Sequence, residues 1–241
     1  MKITFVGSSH GVPEANRKCS CIMVEVGEKV YFVDMGAPAI DALRTKGIPV
    51  ENVQGVFITH MHGDHTNGLI SFVDLINWYF KTADPVICLP DIKAAGVIGQ
   101  WLELSLSAYT REYKFRQTEP GLVYEDDAIR VTAFATKHCH GSHAYLLEAE
   151  GKAVLFTGDL KNPGVDFPAL AKDLPLDLVI CESAHFPATD YLPVFAQHEI
   201  KKICVTHYSD TFLASVLQLQ KEMTEKGVPT QRATDDLVIH V

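Results

Sequence analysis

Four potential metal ligands fall within six residues of this sequence, between two apolar segments. They form the run His-Met-His-Gly-Asp-His, residues 60–65, which follows the apolar residues 56–58 and precedes a longer apolar stretch from Leu69 to Phe80. A strand that leads into a helix would leave the first two histidines on a tight loop and put Asp64 and His65 at the helix start. Imidazole and carboxylate are ligands that divalent metals prefer. The run therefore predicts a metal-binding loop between a strand and a helix.

A polar loop whose histidines merely face solvent is the alternative interpretation of the same run. That interpretation would be the better one for any single histidine. Four ligand-type side chains in the order His-x-His-x-Asp-His seldom occur without a metal role. We therefore favour metal binding by His60, His62, Asp64 and His65.

Length and composition predict a single domain over residues 1–241, because 47% apolar content is enough for one large core. The formal net charge of −9 repels a large phosphate backbone and favours a small anionic substrate. No apolar run reaches the ~18 residues of a membrane span, and the apolar start is too short for a signal peptide. Six scattered cysteines lack the density of a disulfide-rich domain. We expect a cytoplasmic protein with reduced thiols and no membrane partner.

The first part of the chain predicts an antiparallel sheet. Residues 2–6 have the pattern of a strand, and Gly7–Pro13 form a loop rich in Gly, Ser and Pro. Cys21–Val26 and Lys29–Asp34 predict a hairpin, after which the chain turns into a helix near Pro38. Hairpins followed by strand-helix alternation in each half predict two packed sheets with helices outside.

A second group of histidines follows a predicted strand in the middle of the chain. His138, His140 and His143 compete for one position beside the metal, and their spacing alone does not choose among them. Asp159 and His207 follow at the ends of two further predicted strands. Both are therefore candidate metal ligands.

The His-x-His-x-Asp-His run resembles the metal-binding motif of the metallo-β-lactamase superfamily. The turn at Asp34-x-Gly36 and the tripeptide ending in Asp159 stand in the same order as in that superfamily. The resemblance implies an α/β fold, a four-layer αββα sandwich of the metallo-β-lactamase type. It also implies that Asp34 orients the metal loop through a hydrogen bond to a ligand.

The resemblance further implies two divalent metal ions per chain, Zn or Mn, because imidazole and carboxylate suit both and no thiolate selects between them. The implied ligands of one ion are His60, His62 and His138, those of the other are Asp64, His65 and His207, and Asp159 bridges the two. A hydroxide held between two such ions is the implied nucleophile, which Asp64 could also orient.

Phosphodiesterases of the ribonuclease Z branch carry their third metal histidine eight positions, counted inclusively, before a tyrosine that opens the next strand. His138 and Tyr145 match this pattern. We therefore choose His138 and expect His140 and His143 to be loop residues that face substrate or solvent. The loop Gly7–Pro13 resembles the Gly-rich first loop of ribonuclease Z and PhnP-like phosphodiesterases, which makes its His10 a candidate substrate-binding residue.

The resemblance implies hydrolysis of a small or cyclic phosphodiester, with His185 as general acid or phosphate-binding residue. His185 precedes His207 by 22 residues, much as the catalytic histidine of that branch precedes the final ligand. The processing enzymes of the branch have a substrate arm between the third histidine and the bridging aspartate, whereas residues 138–159 predict just a hairpin. A large folded RNA is therefore disfavoured.

Three alternatives stay open: a lactam, lactone or thioester as the substrate, a ribonuclease Z-like nuclease, and a metal-binding protein without catalysis. A complete ligand set makes the last the weakest. A homodimer is a further expectation, because the helix from Leu69 to Phe80 is apolar on more than one face; ordinary core packing explains that pattern equally well.

Overall fold

Two seven-stranded sheets make up the centre of the protein. The computed structural model describes residues 1–170 and 174–241. The first sheet contains β1 (Lys2–Gly7), β2 (Cys21–Val26), β3 (Lys29–Val33), β4 (Val53–Phe57), β5 (Val86–Leu89) and β6 (Lys114–Gln117). The second contains β7 (Gly121–Glu125), β8 (Arg130–Ala135), β9 (His143–Ala149), β10 (Lys152–Phe156), β11 (Leu178–Ser183), β12 (Ile203–Tyr208) and β13 (Thr230–Arg232). The last strand, β14 (Val238–His240), returns to pair with β1 in the first sheet.

Each sheet combines antiparallel hairpins with a run of parallel strands. The orders are β14-β1-β2-β3-β4-β5-β6 and β13-β12-β11-β10-β9-β8-β7. Strands β3 to β6 are parallel to one another, as are β10 to β13. The helices are α1 (Ala39–Thr45), α2 (Gly63–Thr66), α3 (Leu69–Trp78), α4 (Lys93–Leu104), α5 (Pro163–Asp166), α6 (Leu192–Phe195) and α7 (Leu213–Glu225).

Alternation along the strands divides the core into three apolar layers. On β3, Tyr31 and Val33 face the second sheet, whereas Val30 and Phe32 face the helices outside the first sheet. This is the expected result of a side-chain period of two in a sheet that is buried on both faces. The outer face of the second sheet packs on α7 through a third layer that includes Leu219. The predicted four-layer αββα sandwich is confirmed.

The parallel runs place the carboxyl ends of several strands next to one another, which is where ligands bind in open α/β sheets. The metal loop follows β4, Asp159 follows β10, and His207 lies near the end of β12. Tyr145 links the two sheets at this edge, because its hydroxyl on β9 donates to the Ile58 carbonyl oxygen at 2.8 Å.

The structure differs from the sequence prediction mainly at exposed elements. β7 was not predicted, because three of its five residues are exposed and it has little apolar alternation. No helix in the described ranges is long and apolar enough to cross a membrane.

Candidate metal centre

The metal loop and the start of α2 place four ligand-type side chains together. His60 and His62 lie between β4 and α2, and Asp64 and His65 lie in the first turn of α2. The turn is closed by the backbone N–H of His65, which donates to the His62 carbonyl oxygen at 3.0 Å. Local backbone geometry thus turns a run of six residues into a cluster of side chains.

Three imidazole nitrogens converge in a first triad, composed of His60, His62 and His138. His62 Nδ1 lies 3.0 Å from His60 Nε2 and 3.2 Å from His138 Nε2. These atoms all lie within 4.8 Å of one another. A neutral imidazole offers one lone pair, so three nitrogens that point at one spot suit a shared cation.

A second triad is composed of Asp64, His65 and His207. The Asp64 Oδ2 atom lies 3.3 Å from His65 Nε2 and 3.6 Å from His207 Nε2. Both histidines are buried. The set of two imidazoles and one carboxylate is again one that a divalent metal prefers.

Asp159 lies between the two triads and reaches both. Its Oδ2 atom is 3.6 Å from the Nε2 atoms of His60 and His138. The same atom is 3.4 Å from His207 Nε2, and Oδ1 is 3.6 Å from His65 Nε2. One carboxylate therefore stands within reach of ligand atoms from each triad.

Two buried atoms in this cluster show that the residues fit a cation. Within the described ranges, His65 Nε2 and Asp159 Oδ1 have no hydrogen-bond partner, although both are inaccessible to water. Buried polar atoms normally have a partner, and an ion is one of the partners that explain exceptions. The donors present therefore suit divalent ions.

A hydrogen-bonded network outside the triads fixes the ligand rings. Asp34 Oδ2 lies 2.6 Å from His65 Nδ1, and Asp34 Oδ1 accepts from the Thr59 backbone N–H at 2.8 Å. The Thr59 hydroxyl lies 3.1 Å from His60 Nδ1. Because these contacts hold Nδ1 of His60 and His65, the Nε2 atoms of both rings point toward the centre of the site. Asp34 thus contacts both the ring of His65 and the residue before His60.

Burial and charge set opposite protonation tendencies within the cluster. Burial lowers the pKa of His60 to about 2, so its ring is neutral. Burial also acts to lower the pKa of His65, but the Asp34 and Asp159 carboxylates outweigh it and raise that pKa well above its ordinary value. For Asp159, His207 and His65 outweigh burial and hold the carboxyl pKa well below its usual range. The negative charge of the pocket favours a cation.

His185 lies at the edge of the cluster, beside both triads. Its ring centroid is 4.6 Å from that of His138 and 6.2 Å from that of His207. Its Nδ1 atom lies 2.9 and 3.0 Å from the two carboxylate oxygens of Glu182. That hydrogen bond raises the pKa of His185. With Nδ1 engaged and the side chain 37% exposed, Nε2 is the atom available to a substrate.

Glu182 contacts the site but was not predicted from the sequence. It is 1% exposed at the end of β11 and also accepts from the backbone N–H groups of Leu160 and Ala184, each at 2.9 Å. It therefore holds the residue after Asp159 and the one before His185. An acidic residue at the carboxyl end of an apolar strand was the available signal.

His10 and His140, two further predicted site residues, lie in different surroundings. His10 Nε2 lies 3.4 Å from Glu14 Oε1, and the next residue, Gly11, faces Asp64, since a Cβ atom there would lie 3.6 Å from Asp64 Oδ2. The first loop therefore borders the second triad. His140 is exposed on the turn before β9, as expected of a loop residue.

The predicted loop position of His143 requires correction. His143 is the first residue of β9, pairs with Ala135 of β8 and is 5% exposed, so it does not face solvent. The turn before β9 is closed at Ser142, whose N–H donates to the Cys139 carbonyl oxygen at 3.3 Å. The strand therefore begins earlier than predicted and buries this histidine.

Solved structures with the same fold include human tRNase Z, short form, at 18% identity and a TM-score of 0.77, covering 100% of this chain and 99% of that one. A diphosphatase from the PhnP family has 16% identity and a TM-score of 0.70, covering 100% and 97%. The metallo-beta-lactamase fold protein YhfI from Bacillus subtilis has 18% identity and a TM-score of 0.72, covering 99% of this chain and 98% of that one. These likenesses show the metallo-β-lactamase fold.

Sequence comparison supports the same branch. The ribonuclease Z of Listeria monocytogenes serotype 4b is 29% identical over 170 residues, which are 69% of this chain and 55% of that protein. The chain thus spans about half the length of the curated relatives it matches. The predicted relation to the ribonuclease Z and PhnP-like branch is confirmed.

A family model described as Anti-Pycsar protein Apyc1 matches residues 1–226. That range contains both triads, Asp159, Glu182 and His185. Because the match covers nearly the whole chain, and because the fold and the curated relatives agree with it, the chain belongs to the Anti-Pycsar protein Apyc1 family of the metallo-β-lactamase superfamily.

Proposed function

We propose that this chain is a metal-dependent hydrolase that cleaves a small or cyclic phosphodiester. The observation that carries the proposal is the position of the Asp159 carboxylate, which lies within 3.6 Å of ligand nitrogens from both triads. Two divalent ions at such a site would supply an activated water and positive charge that offsets charge on an attacked phosphoryl group.

The proposed ligands follow the two triads. One ion would be held by His60, His62 and His138 and the other by Asp64, His65 and His207, with Asp159 as a ligand available to both. We propose Zn or Mn, because the set contains imidazole and carboxylate groups and no thiolate.

The proposed roles of the other side chains are proton transfer and orientation. His185 is the general acid or phosphate-binding residue, since the alkoxide that leaves a phosphodiester needs a proton or a cationic partner. Glu182 holds the His185 ring through Nδ1 and keeps it protonated to higher pH. Asp64 has a carboxylate at the second triad that can also accept from a water molecule.

Three observations support a small substrate. Residues 138–159, all of which are described, hold only the β9–β10 hairpin and no substrate arm. The first loop borders the second triad, since a Cβ atom on Gly11 would lie 3.6 Å from Asp64 Oδ2. The net charge of −9 disfavours a large folded RNA. The matching family is described as an anti-Pycsar protein. We propose that this chain would act in such a role by hydrolysing a cyclic phosphodiester.

A homodimer belongs to the same proposal. Val97, Trp101 and Leu104 lie on one face of α4 and are 61%, 58% and 84% exposed. Trp78 and Tyr79 at the end of α3 are also exposed. Contiguous exposed apolar side chains mark interaction surfaces, and a second copy would cover them by the same residues on both sides.

The ligand assignment predicts which histidines control metal content. Wild-type protein incubated with Zn²⁺ or Mn²⁺ should bind about two ions per chain by elemental analysis. His138→Ala should bind fewer, whereas the neighbouring His140→Ala should match wild type and serves as the control. Asp159→Ala should weaken both sites and His207→Ala mainly one. Full metal content in His138→Ala with loss in His140→Ala would contradict the assignment.

The proposed activity predicts hydrolysis of phosphodiesters in a panel of metal-loaded assays. The panel contains cyclic purine and pyrimidine nucleotides, bis-p-nitrophenyl phosphate, a lactam and a thioester. His185→Ala should keep its metals and lose roughly 10²-fold or more in turnover of diesters with poor leaving groups. The loss should shrink for bis-p-nitrophenyl phosphate, because p-nitrophenolate leaves without protonation. Faster turnover of the lactam or the thioester than of every diester would contradict the proposal.

The hydrogen bond to Glu182 predicts the pH dependence of the same reaction. It raises the pKa of His185, so the acid form persists to higher pH and activity falls only above the raised pKa. Glu182→Gln should therefore move the alkaline limb of kcat toward lower pH for a cyclic nucleotide. The p-nitrophenyl ester is the control, since its leaving group needs no acid. An unmoved limb in the cyclic nucleotide assay would rule out this role for Glu182.

The exposed face of α4 predicts the oligomeric state. Light scattering after size exclusion should give a dimer for the wild type and a monomer for Trp101→Glu, because a charge there opposes burial. Leu217→Glu, at a 47% exposed position on α7 outside the other sheet, is the matched control and should stay dimeric. A monomeric wild type, or dimer loss only in the control, would exclude this interface.

A further inference from the structure

The orientation of His207 depends on the first loop, residues 7–13. Its backbone has φ of 47°, in the left-handed region that is unfavourable for a residue with a Cβ atom. Its backbone N–H donates to the Ser8 carbonyl oxygen, and its Nδ1 lies against the Ser9 carbonyl oxygen, both at 3.0 Å. Two successive carbonyls of the first loop therefore hold the backbone and the ring of this ligand.

Arg17 fastens the first loop to the strand that carries His207. Its guanidinium lies 3.9 Å above the centre of the Tyr208 ring, and Nη2 donates to the Tyr208 carbonyl oxygen at 3.0 Å. Nη1 donates to the Ser8 carbonyl oxygen at 3.4 Å, and Nε donates to Glu14 at 2.8 Å. Arg17 is 8% exposed and its three nitrogens contact protein oxygens, so it is placed as an anchor and not as a phosphate ligand.

Asp166 fastens the loop that carries His138 to the loop that carries Asp159. Its Oδ2 atom accepts from the backbone N–H of Lys137 at 2.7 Å and from that of Lys161 at 2.9 Å. The neighbouring Oδ1 accepts from a third backbone N–H, that of residue 162, at 3.1 Å. Asp166 is 7% exposed on α5. A buried carboxylate that satisfies three backbone donors from two ligand loops fixes the distance between them.

We propose that Arg17 and Asp166 are positioning residues, each holding one triad of the metal centre, so that the two metal affinities can be weakened separately. Arg17 acts on the triad with His207. Asp166 acts on the triad with His138, because it holds the residue directly before that ligand, whereas the residue directly after Asp159 is held by Glu182. The inference rests on the proposed two-metal site. It assigns roles to two residues that touch no metal and no substrate.

Calorimetric titration of metal-free protein with Mn²⁺ tests the proposal without any activity measurement. His138→Ala isolates binding at Asp64, His65 and His207, and His207→Ala isolates binding at the other triad. Arg17→Lys keeps the charge but loses the planar fork. Asp166→Asn keeps the size but replaces one acceptor by a donor. Arg17→Lys and Asp166→Asn are each introduced separately into His138→Ala and into His207→Ala.

Each anchor variant is expected to weaken metal binding at one triad and leave the other unchanged. In His138→Ala, the remaining affinity should fall about 10- to 100-fold on adding Arg17→Lys, the usual effect of losing a ligand-orienting group, and stay unchanged on adding Asp166→Asn. In His207→Ala, the pattern should reverse. Tyr208→Leu removes the ring beneath Arg17 and should reproduce Arg17→Lys. Asp166→Glu is the second variant at the other anchor and should weaken the same triad as Asp166→Asn.

Matched controls separate positioning from general stability. Asp190→Asn alters a carboxylate that contacts the Asn162 side chain at 2.7 Å, and Arg44→Lys alters an arginine of α1. Neither should change either affinity. Equal weakening of both triads by one anchor variant, no weakening by any, or the crossed pattern would overturn the proposal. Absence of metal binding in the wild type would instead overturn the proposed function, and this inference with it.

Discussion

A carboxylate buried among imidazoles is stable only where opposite charge surrounds it, and the candidate site depends on that constraint at Asp159. Asp159 is 3% exposed and lies within 3.6 Å of four ring nitrogens, on His60, His65, His138 and His207. Without a cation, only protonated histidines can balance it, and the raised pKa of His65 reflects this demand. In the proposed two-metal site, the same carboxylate would offset the repulsion between the two ions.

The two-sheet architecture brings these groups together because each follows the carboxyl end of a strand that reaches the same edge of the sandwich. The metal loop follows β4 in one sheet, while Asp159, Glu182 and His207 come from three consecutive strands of the other. The Tyr145 hydroxyl joins the sheets at this edge. The left-handed backbone conformation of His207 is unfavourable, and hydrogen bonds to the first loop stabilise it.

Much of the fold and of the candidate site could be predicted from the sequence, and the exceptions share a physical cause. The His-x-His-x-Asp-His run and the strand-end positions of Asp159 and His207 carry their own local signals. Glu182 also stands at a strand end, but its role depends on contacts with His185 and with the backbone of Leu160 that no sequence pattern shows. His143 lies in a strand whose start depends on a turn. The contacts of Arg17 and Asp166 join segments that are far apart in sequence, so no local sequence pattern predicts them.

Anomalous scattering from crystals of Zn²⁺-loaded protein, measured on both sides of the zinc absorption edge, would locate the bound ions directly. We expect two zinc peaks per chain, one within the triad of His60, His62 and His138 and one within that of Asp64, His65 and His207, both beside the Asp159 carboxylate. A single peak at full zinc loading, or peaks that Asp159 does not contact, would contradict this expectation.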